Sequence, residues 1–429
     1  MHRLRRPPAT RAWAGAVVLG VLVSVCSACG GSAAEVPAIS PATARREQEQ
    51  VLLRKRAEAV RDHNRAAFMR TVASSGHALR AFRREQRRYF DNLDQLPVKR
   101  FSYRVLRGSW PRRLAAPSWG ARATVPRVRL TMQLRGFDRG PVRRTIGLAF
   151  DLRADGLKVV GDRTRTGAAF PGSEPAPWDL TGIDVRSTSH VLGIFGKDTG
   201  SEAGQVLADV DAGLRQVDRA VPFTWSDKVV LYYFDDRAVL DSFQDVPGGN
   251  ILHLGAMSFP VRGSGPGSRP VSTRITLLPS SVRAGQPFLG RIVRHELTHV
   301  AVGHRDDGAP VWFAEGLAEY VGARPLSRSQ RRIASVALTR ARRGADEMPA
   351  SSTFNGRDQD WHYALSWMAC DYIAASQGEA KLWELMRAFH DMGRGTPDDQ
   401  QDAVLRRVLG YDGHELARRA AHRILEIYG

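Results

Sequence analysis

The pentapeptide His295-Glu296-Leu297-Thr298-His299 constrains this chain more than any other segment. Residues four positions apart on an α-helix lie one above the other, so both imidazoles can reach a single ion. Glu296 projects beside them and can act on a water molecule. Flanking apolar residues give such a helix a face to bury, namely Ile292, Val293, Leu297 and Val300. The charged Arg294 before the first histidine must pair or extend to solvent.

Two imidazoles and a carboxylate at this spacing are typical of a catalytic zinc site, which needs a third protein ligand and an open position for water. We predict Glu315 as that ligand, because the Gly- and Asp-rich residues 304–309 can fold a second helical segment back over the first. Glu319 lies one turn later and is expected to accept the distal N–H of a ligand histidine. Asp306 and Asp307 are weaker alternatives, and His304 is interpreted as a loop histidine.

With this second segment the chain resembles the gluzincin metallopeptidases, whose H-E-x-x-H is followed by W-x-x-E-G-x-A-E-Y. The matching residues of the second element are Trp312, Glu315, Gly316, Ala318, Glu319 and Tyr320. The resemblance implies that His295, His299 and Glu315 bind Zn²⁺ and that Glu296 is the base and proton shuttle. The interval of 15 residues between His299 and Glu315 fits the looser peptidase MA-like relatives better than the aminopeptidases.

Two further residues refine this resemblance. Similar gluzincins carry a tyrosine whose phenol stabilises the oxyanion, and Tyr363 is our prediction for that role, ahead of His362, Tyr372 and His390. Related aminopeptidases carry G-x-M-E-N, whose glutamate binds the free amine of the substrate, whereas residues 255–259 read G-A-M-S-F with Ser258 at that position. The sequence therefore favours an endopeptidase, or a protease whose cleavage mode stays open, over an aminopeptidase.

The first residues read as an export signal. A basic start and a short apolar stretch make residues 1–28 a signal peptide, and the small residues before Cys29 resemble a bacterial lipobox. We therefore expect a lipid on Cys29, a tether over residues 29–46, and a location on the extracytoplasmic face of the bacterial cell membrane. A secreted protein without lipid is the alternative. The remaining Cys370 lies in an apolar helical segment and is predicted to be a buried hydrophobe.

The net charge is +19, and it falls to 19 − 4 = +15 when the four arginines of the signal segment are removed. Nucleic acid is excluded as a partner, because the basic residues are spread out and no nucleic-acid-binding motif is present. Anionic lipid or an acidic cell-wall polymer would suit this charge. Lysine supplies six of the 63 basic residues, an arginine bias that is typical of actinobacterial, high-GC genomes.

The pattern along the chain predicts an α+β protein. Residues 47–95 read as helices, interrupted near residues 74–76, and strands follow at residues 101–105, 125–134, 142–152 and 157–160. We expect an N-terminal domain over residues 47–170 whose helices and curved antiparallel sheet resemble the cone of nuclear-transport-factor-like and cystatin-like folds. A linker over residues 171–185 and a zincin-like domain over residues 186–429 follow. In that domain strands are predicted at residues 189–195, 228–234, near 251 and at 272–278, the last as the edge of the substrate cleft, with helices beyond Tyr320.

The sequence thus predicts a membrane-anchored, extracytoplasmic zinc peptidase in which Glu296 assists the attack of zinc-bound water on a peptide bond of a peptide or protein substrate. The alternative is a lipoprotein that binds zinc or serves as a scaffold without catalysis, its peptidase domain being a pseudoprotease. The presence of Glu296 argues against this alternative, because a structural zinc site needs no base.

Overall fold

Three helices open the part of the chain that the computed structural model describes, which comprises residues 40–74, 77–243, 254–263, 269–393 and 400–429. They are α1 (Pro41–Arg61), α2 (Arg65–Arg70) and α3 (His77–Gln95). The helices predicted over residues 47–95 are confirmed, and α1 already begins at Pro41, within the predicted tether over residues 29–46. An additional break lies before α2, where the Asn64 side chain accepts a hydrogen bond from the amide of Ala67 at 2.8 Å. The predicted signal peptide, Cys29 and the predicted strand near residue 251 lie outside the described residues.

Antiparallel strands follow these helices. Strands β1 (Val98–Ser109), β2 (Pro126–Leu134) and β3 (Val142–Gly147) form one sheet in that order, and β4 (Ala149–Arg153) pairs with β5 (Gly156–Gly161). The predicted strands are confirmed, the third being divided between β3 and β4. The resemblance to a cone-shaped fold stays a prediction.

A second sheet carries the remaining described strands. After α4 (Pro177–Leu180) come β6 (Ile183–Ser187), β7 (Val191–Gly196), β8 (Val229–Tyr233), β9 (Ala256–Arg262) and β10 (Pro270–Leu277), in the order β6-β7-β8-β10-β9. β7, β8 and β10 are parallel, whereas β6 and β9 pair antiparallel at the two edges. Helix α5 (Ala203–Ala220) forms the crossover that parallel β7 and β8 require.

The prediction that residues 272–278 form the cleft edge is wrong. This segment is β10, which lies between β8 and β9, so the edge strand is β9. Pro260 lies within β9 and has no N–H to donate, which restricts such a residue to an edge strand or a bulge. Pro260 within the strand and Gly255 directly before it are the reason that the sequence pattern did not predict β9.

Both faces of the second sheet are buried, because β7 and β8 send alternate side chains into two different cores. Val229, Leu231 and Tyr233 pack against the helices of the C-terminal half. Val230 and Tyr232 pack against the N-terminal helices and strands. Residues 45–429 form a single unit, within which the division at residues 171–185 stays a prediction.

Helices make up most of the C-terminal half, as predicted for the residues beyond Tyr320. They are α6 (Arg237–Leu240), α7 (Pro279–Ala284), α8 (Phe288–Val302), α9 (Val311–Ala323), α10 (Ser335–Ala341), α11 (Gln359–Gln377), α12 (Ala380–Met392), α13 (Gln401–Leu409) and α14 (Gly413–Tyr428). Cys370 is fully buried in α11, as predicted. Among the described residues, no helix is long and apolar enough to cross a membrane.

Candidate active site

Helix α8 carries His295, Glu296 and His299 as predicted. Val293, Leu297 and Ala301 anchor one face of the helix in the core. The two imidazoles project from another face, and their Nε2 atoms lie 3.2 Å apart. Each histidine therefore presents the same ring nitrogen to a common point.

The charged residue before the first histidine is buried and does not reach solvent. Arg294 donates from Nε to the carbonyl of Gly322 at 2.8 Å and from one terminal nitrogen to Gln216 at 3.0 Å. Burial lowers the pKa of Arg294 to about 10, and the nearby Arg291 adds to this effect. Arg294 thus joins α8 to α9 and α5 and makes no hydrogen bond to the two imidazoles.

A tight turn brings α9 back over α8, and glycine makes that turn possible. Gly303 and Gly308 both have positive φ angles, of 59° and 109°. A Cβ on Gly308 would lie 2.5 Å from the carbonyl oxygen of Gly393, so no larger residue fits there. The turn places Oε2 of Glu315 3.2 Å from Nε2 of His295 and 3.5 Å from Nε2 of His299.

These three donor atoms have the separation that zinc requires. Ligands bound to zinc at about 2.0–2.1 Å in a tetrahedral arrangement are separated by roughly 3.3–3.4 Å. The observed separations of 3.2, 3.2 and 3.5 Å agree with that value. His295, His299 and Glu315 are also the residues that could hold a metal ion together within the described part of the chain.

The carboxylates around His295 also favour a cation at this site. Oε1 of Glu319 lies 3.2 Å from Nδ1 of His295 without hydrogen-bond geometry, and its negative charge favours a proton on Nδ1. In the neutral imidazole with that proton, the Nε2 lone pair faces the carboxylate of Glu315, and a proton or a metal ion between these two acceptors removes their repulsion. Burial disfavours a charged imidazole, but Glu315 and Glu319 outweigh it and raise the pKa of His295 well above its ordinary value. The donor set therefore fits a divalent cation.

Glu319 joins this site to an arginine that the sequence analysis missed. Nε of Arg291 donates to Oε2 of Glu319 at 2.9 Å, while Oε1 faces His295. Burial would raise the pKa of Glu319, but Arg291 and His295 outweigh it and lower the pKa to about 2. Arg291 lies one helical turn before His295, and this spacing is the sequence signal that could have identified it.

Two glycines explain why α9 packs so closely. A Cβ on Gly316 would lie 2.4 Å from the carbonyl oxygen of Ser366 on α11. A Cβ on Gly322 would lie 2.9 Å from the carbonyl oxygen of Arg291 on α8. The glycine of the E-G-x-A-E segment therefore allows the helix that carries Glu315 to approach the helix that carries Tyr363.

The ligand triad opens into a cleft of about 610 Å³. Glu296 and Tyr363 line it together with the triad, and residues of β9, including Ser258, form part of its wall. Within the described part of the chain, no residue forms a hydrogen bond or ion pair with the Glu296 carboxylate. The ring of Tyr363 lies 6.3 Å from that of His295, between centroids. Burial and the carboxylates of Glu315 and Glu319 raise the pKa of Tyr363, so its hydroxyl keeps its proton.

The other tyrosine and histidines considered for the oxyanion role do not line the cleft. Nδ1 of His362 lies 2.8 Å from the carbonyl oxygen of Phe354, and the Tyr372 hydroxyl accepts a hydrogen bond from Arg419 at 2.9 Å. The ring of His390 packs at 6.1 Å from that of His304. Tyr363 is therefore the one of these four candidates that shares the cleft with the triad.

The loop after α8 provides weaker ligand candidates. His304, Asp306 and Asp307 line the cleft without joining the cluster of donor atoms. Burial raises the pKa of Asp306 to about 6, although the positive charge of His299 opposes it. The N-terminal half also contributes Phe137 and Arg139 to the cleft, which no local sequence pattern indicated.

Some solved structures of zinc metallopeptidases are similar to this chain. No protein-family model matches the chain, and no curated protein has a similar sequence. Among solved structures, a two-domain M1 zinc metallopeptidase bound to L-arginine aligns over 64% of this chain with 13% identity and a TM-score of 0.31. The same type of enzyme bound to L-tryptophan aligns over 63%, with 13% identity and a TM-score of 0.29.

An M1 zinc metallopeptidase from Deinococcus radiodurans aligns over 70% of this chain and 89% of its own length, with 12% identity and a TM-score of 0.33. This chain spans 58% of the length of each two-domain enzyme. These TM-scores are all low, so the function is inferred from the geometry of the site.

Proposed function

We propose that this protein is a zinc-dependent peptidase. The observation that carries the proposal is the convergence of the three donor atoms of His295, His299 and Glu315 at separations of 3.2–3.5 Å, beside the carboxylate of Glu296. A structural zinc site is usually closed by four protein ligands. Here three ligands face an open cleft, which is the arrangement that leaves room for a substrate.

Zinc held by this triad would polarise the scissile carbonyl and make water a stronger acid. The side chains of the protein would transfer the protons and orient the reacting groups. Glu296 takes a proton from the attacking water and then gives it to the leaving amine. The neutral hydroxyl of Tyr363 donates a hydrogen bond to the oxygen on which negative charge develops. Glu319 holds His295 in the tautomer that binds the metal.

We further propose that the enzyme is an endopeptidase. Ser258 lies on edge strand β9 at the wall of the cleft, and its hydroxyl cannot form the ion pair that would anchor a free α-amine. Peptides with an acetylated N-terminus should therefore be cleaved as well as free peptides are. Cleavage that requires a free amine, followed by mass spectrometry of the products, would contradict this subtype.

The proposed location is the extracytoplasmic face of the cell membrane, with a lipid on Cys29. The motif around Cys29 supports this proposal. Metabolic labelling with a fatty acid tests it, because the label should be lost in Cys29→Ser. A wild-type chain that takes up no label would instead support the secreted alternative.

The test of the main proposal compares the wild type with Glu296→Gln. Both should bind one zinc per chain, whereas hydrolysis of a peptide library should fall at least 100-fold in the variant, because the base is lost. Glu384→Gln is the matched control, since Glu384 forms a surface ion pair with Lys381. Peptide hydrolysis that survives Glu296→Gln would overturn the mechanism, and a closed four-ligand zinc would favour the non-catalytic alternative.

A further inference from the structure

The turn between β2 and β3, residues 135–141, reaches from the N-terminal half of the chain to the cleft. The amide of Arg139 donates to the carbonyl of Val271 at 2.8 Å, and the Ser272 hydroxyl donates to the carbonyl of Phe137 at 3.2 Å. Both contacts join the turn to β10, the neighbour of edge strand β9. Phe137 and Arg139 thereby become part of the cleft wall.

A buried ion pair holds this turn in place. Asp138 accepts from Arg274 of β10 at 2.8 Å, and the two side chains are 1% and 4% exposed. The second carboxylate oxygen of Asp138 accepts from the amide of Leu134 at 2.7 Å. Because both oxygens of Asp138 are engaged, the position of Arg139 next to it is fixed relative to the cleft.

Arg139 is one of three cations that line the cleft from the sheet and from the turn packed on it; we call Arg139, Lys228 and Arg262 the basic cluster. Arg262 is the register partner of Pro270 at the start of β10, and a terminal nitrogen of Arg139 donates to the carbonyl of Pro270 at 3.3 Å. Lys228 directly precedes β8, whose Val230 pairs with Arg274, so Lys228 lies level with the start of β10. All three line the cleft.

The carboxylates of the cleft lie away from the sheet, although Arg305 of the turn after α8 also lines the cleft on their side. These carboxylates belong to α8, to α9 and to the turn between them, namely Glu296, Asp306, Asp307 and Glu315. The basic cluster occupies the sheet side. Among the described residues, Arg139 and Lys228 donate to backbone carbonyls of Pro270 and Ser189 and pair with no carboxylate. Cations that remain without a counter-ion can bind an anionic group of a ligand.

We propose that the basic cluster is a specificity subsite that binds an acidic side chain of the substrate, so that this peptidase selects polypeptides carrying Asp or Glu beside the scissile bond. The proposal rests on the proposed peptidase function and adds its substrate class. It also gives the N-terminal half a role, since residues 135–141 supply part of the subsite. Exposed ion pairs of this kind weaken as salt screens them.

Two acetylated peptides that differ only by Glu in one and Gln in the other test the subsite in the full-length chain. The wild type should cleave the Glu peptide with a kcat/KM about tenfold higher at low salt, and 1 M NaCl should reduce this ratio. Arg139→Gln should reduce it to about threefold or less, mainly through KM. Arg135→Gln is the matched control, because Arg135 is exposed on the same turn and does not line the cleft, and it should keep the wild-type ratio.

A binding measurement separates the subsite from the catalytic proposal. The same peptides are titrated into Glu296→Gln with and without Arg139→Gln, and their affinities are read by fluorescence anisotropy. Tighter binding of the Glu peptide, lost when Arg139 is replaced, supports the subsite. This holds even if the wild type cleaves neither peptide. Absence of cleavage would overturn the peptidase function but not the subsite. Equal affinity for both peptides, or a preference that persists in Arg139→Gln, would overturn the subsite.

Discussion

Among single residues, Arg291 shows how the site extends beyond its predicted ligands. Its guanidinium contacts Glu319, packs 4.2 Å above the ring of Trp367, and donates to the carbonyl of Arg332 at 2.9 Å. These contacts fix the side chain in one place. Arg291 also neutralises Glu319, so that this carboxylate can orient His295 without adding a full negative charge next to the proposed metal site.

Replacing Arg291 with methionine should therefore weaken zinc binding. Loss of the groups that orient a metal ligand typically costs 10- to 100-fold in metal affinity, and we expect at least a tenfold loss in competition with a chelator. Arg324→Met is the control, because Arg324 forms an exposed ion pair with Glu379 and should leave the affinity unchanged. An unchanged affinity in Arg291→Met would show that Glu319 needs no such support.

The sequence predicts individual site residues better than it predicts long-range contacts. The spacing of His295 and His299 follows from helix geometry alone, which is why their convergence could be foreseen. The prediction of Glu315 as a ligand depended on the turn after α8, and the resemblance of the E-G-x-A-E segment supported it. Arg291 was missed although it lies one helical turn before His295, because that spacing also fits an arginine on an exposed helix face.

Among the elements, α9 determines the site because it packs against both α8 and α11. Its two glycines leave no room for a side chain at either contact. The backbone carbonyl of Ser366 faces Gly316 and cannot rotate away as a flexible side chain could. Any larger residue at this position must separate α9 from α11.

Gly316→Ala should destabilise the protein by about 1–3 kcal/mol, the usual cost of overpacking, and should also weaken zinc binding by displacing Glu315. Urea unfolding and chelator competition measure the two effects. Gly204→Ala serves as the control, because a Cβ there meets nothing within 4 Å and alanine is the better helix former. A Gly316→Ala variant as stable as Gly204→Ala would contradict the packing argument.

Element prediction was reliable where the pattern was local. The helices and most strands of the N-terminal half follow from periodicity, since each is determined by its own buried face. Strand β9 was missed because Pro260 interrupts its pattern, and the edge position that makes a proline acceptable depends on strand order. The identity of the cleft edge was wrong for the same reason.

At the scale of the whole molecule, the pair of Asp138 and Arg274 connects the N-terminal strands to β10 of the second sheet. Its partners are more than 130 residues apart in the sequence, so no local pattern could reveal the contact. The same is true of Phe137 and Arg139 in the cleft wall. Such long-range contacts explain why the sequence left the role of the N-terminal half open.

Asp138→Asn should destabilise the chain by about 3–5 kcal/mol, because it leaves the charge of Arg274 buried without its counter-ion. Urea unfolding measures the loss. Asp241→Asn is the control, since Asp241 and Arg237 form an exposed ion pair and its removal should have no measurable effect. Equal unfolding midpoints for the two variants would mean that the buried pair does not hold the two parts together.

X-ray absorption at the zinc edge of the purified full-length chain shows whether His295, His299 and Glu315 hold zinc. We expect one zinc per chain with nitrogen and oxygen ligands at about 2.0–2.1 Å, two of them imidazoles. His299→Ala should remove one imidazole from the spectrum or abolish binding. A chain without zinc, a zinc with sulfur ligands, or a spectrum that His299→Ala leaves unchanged would show that these three residues do not form a zinc site.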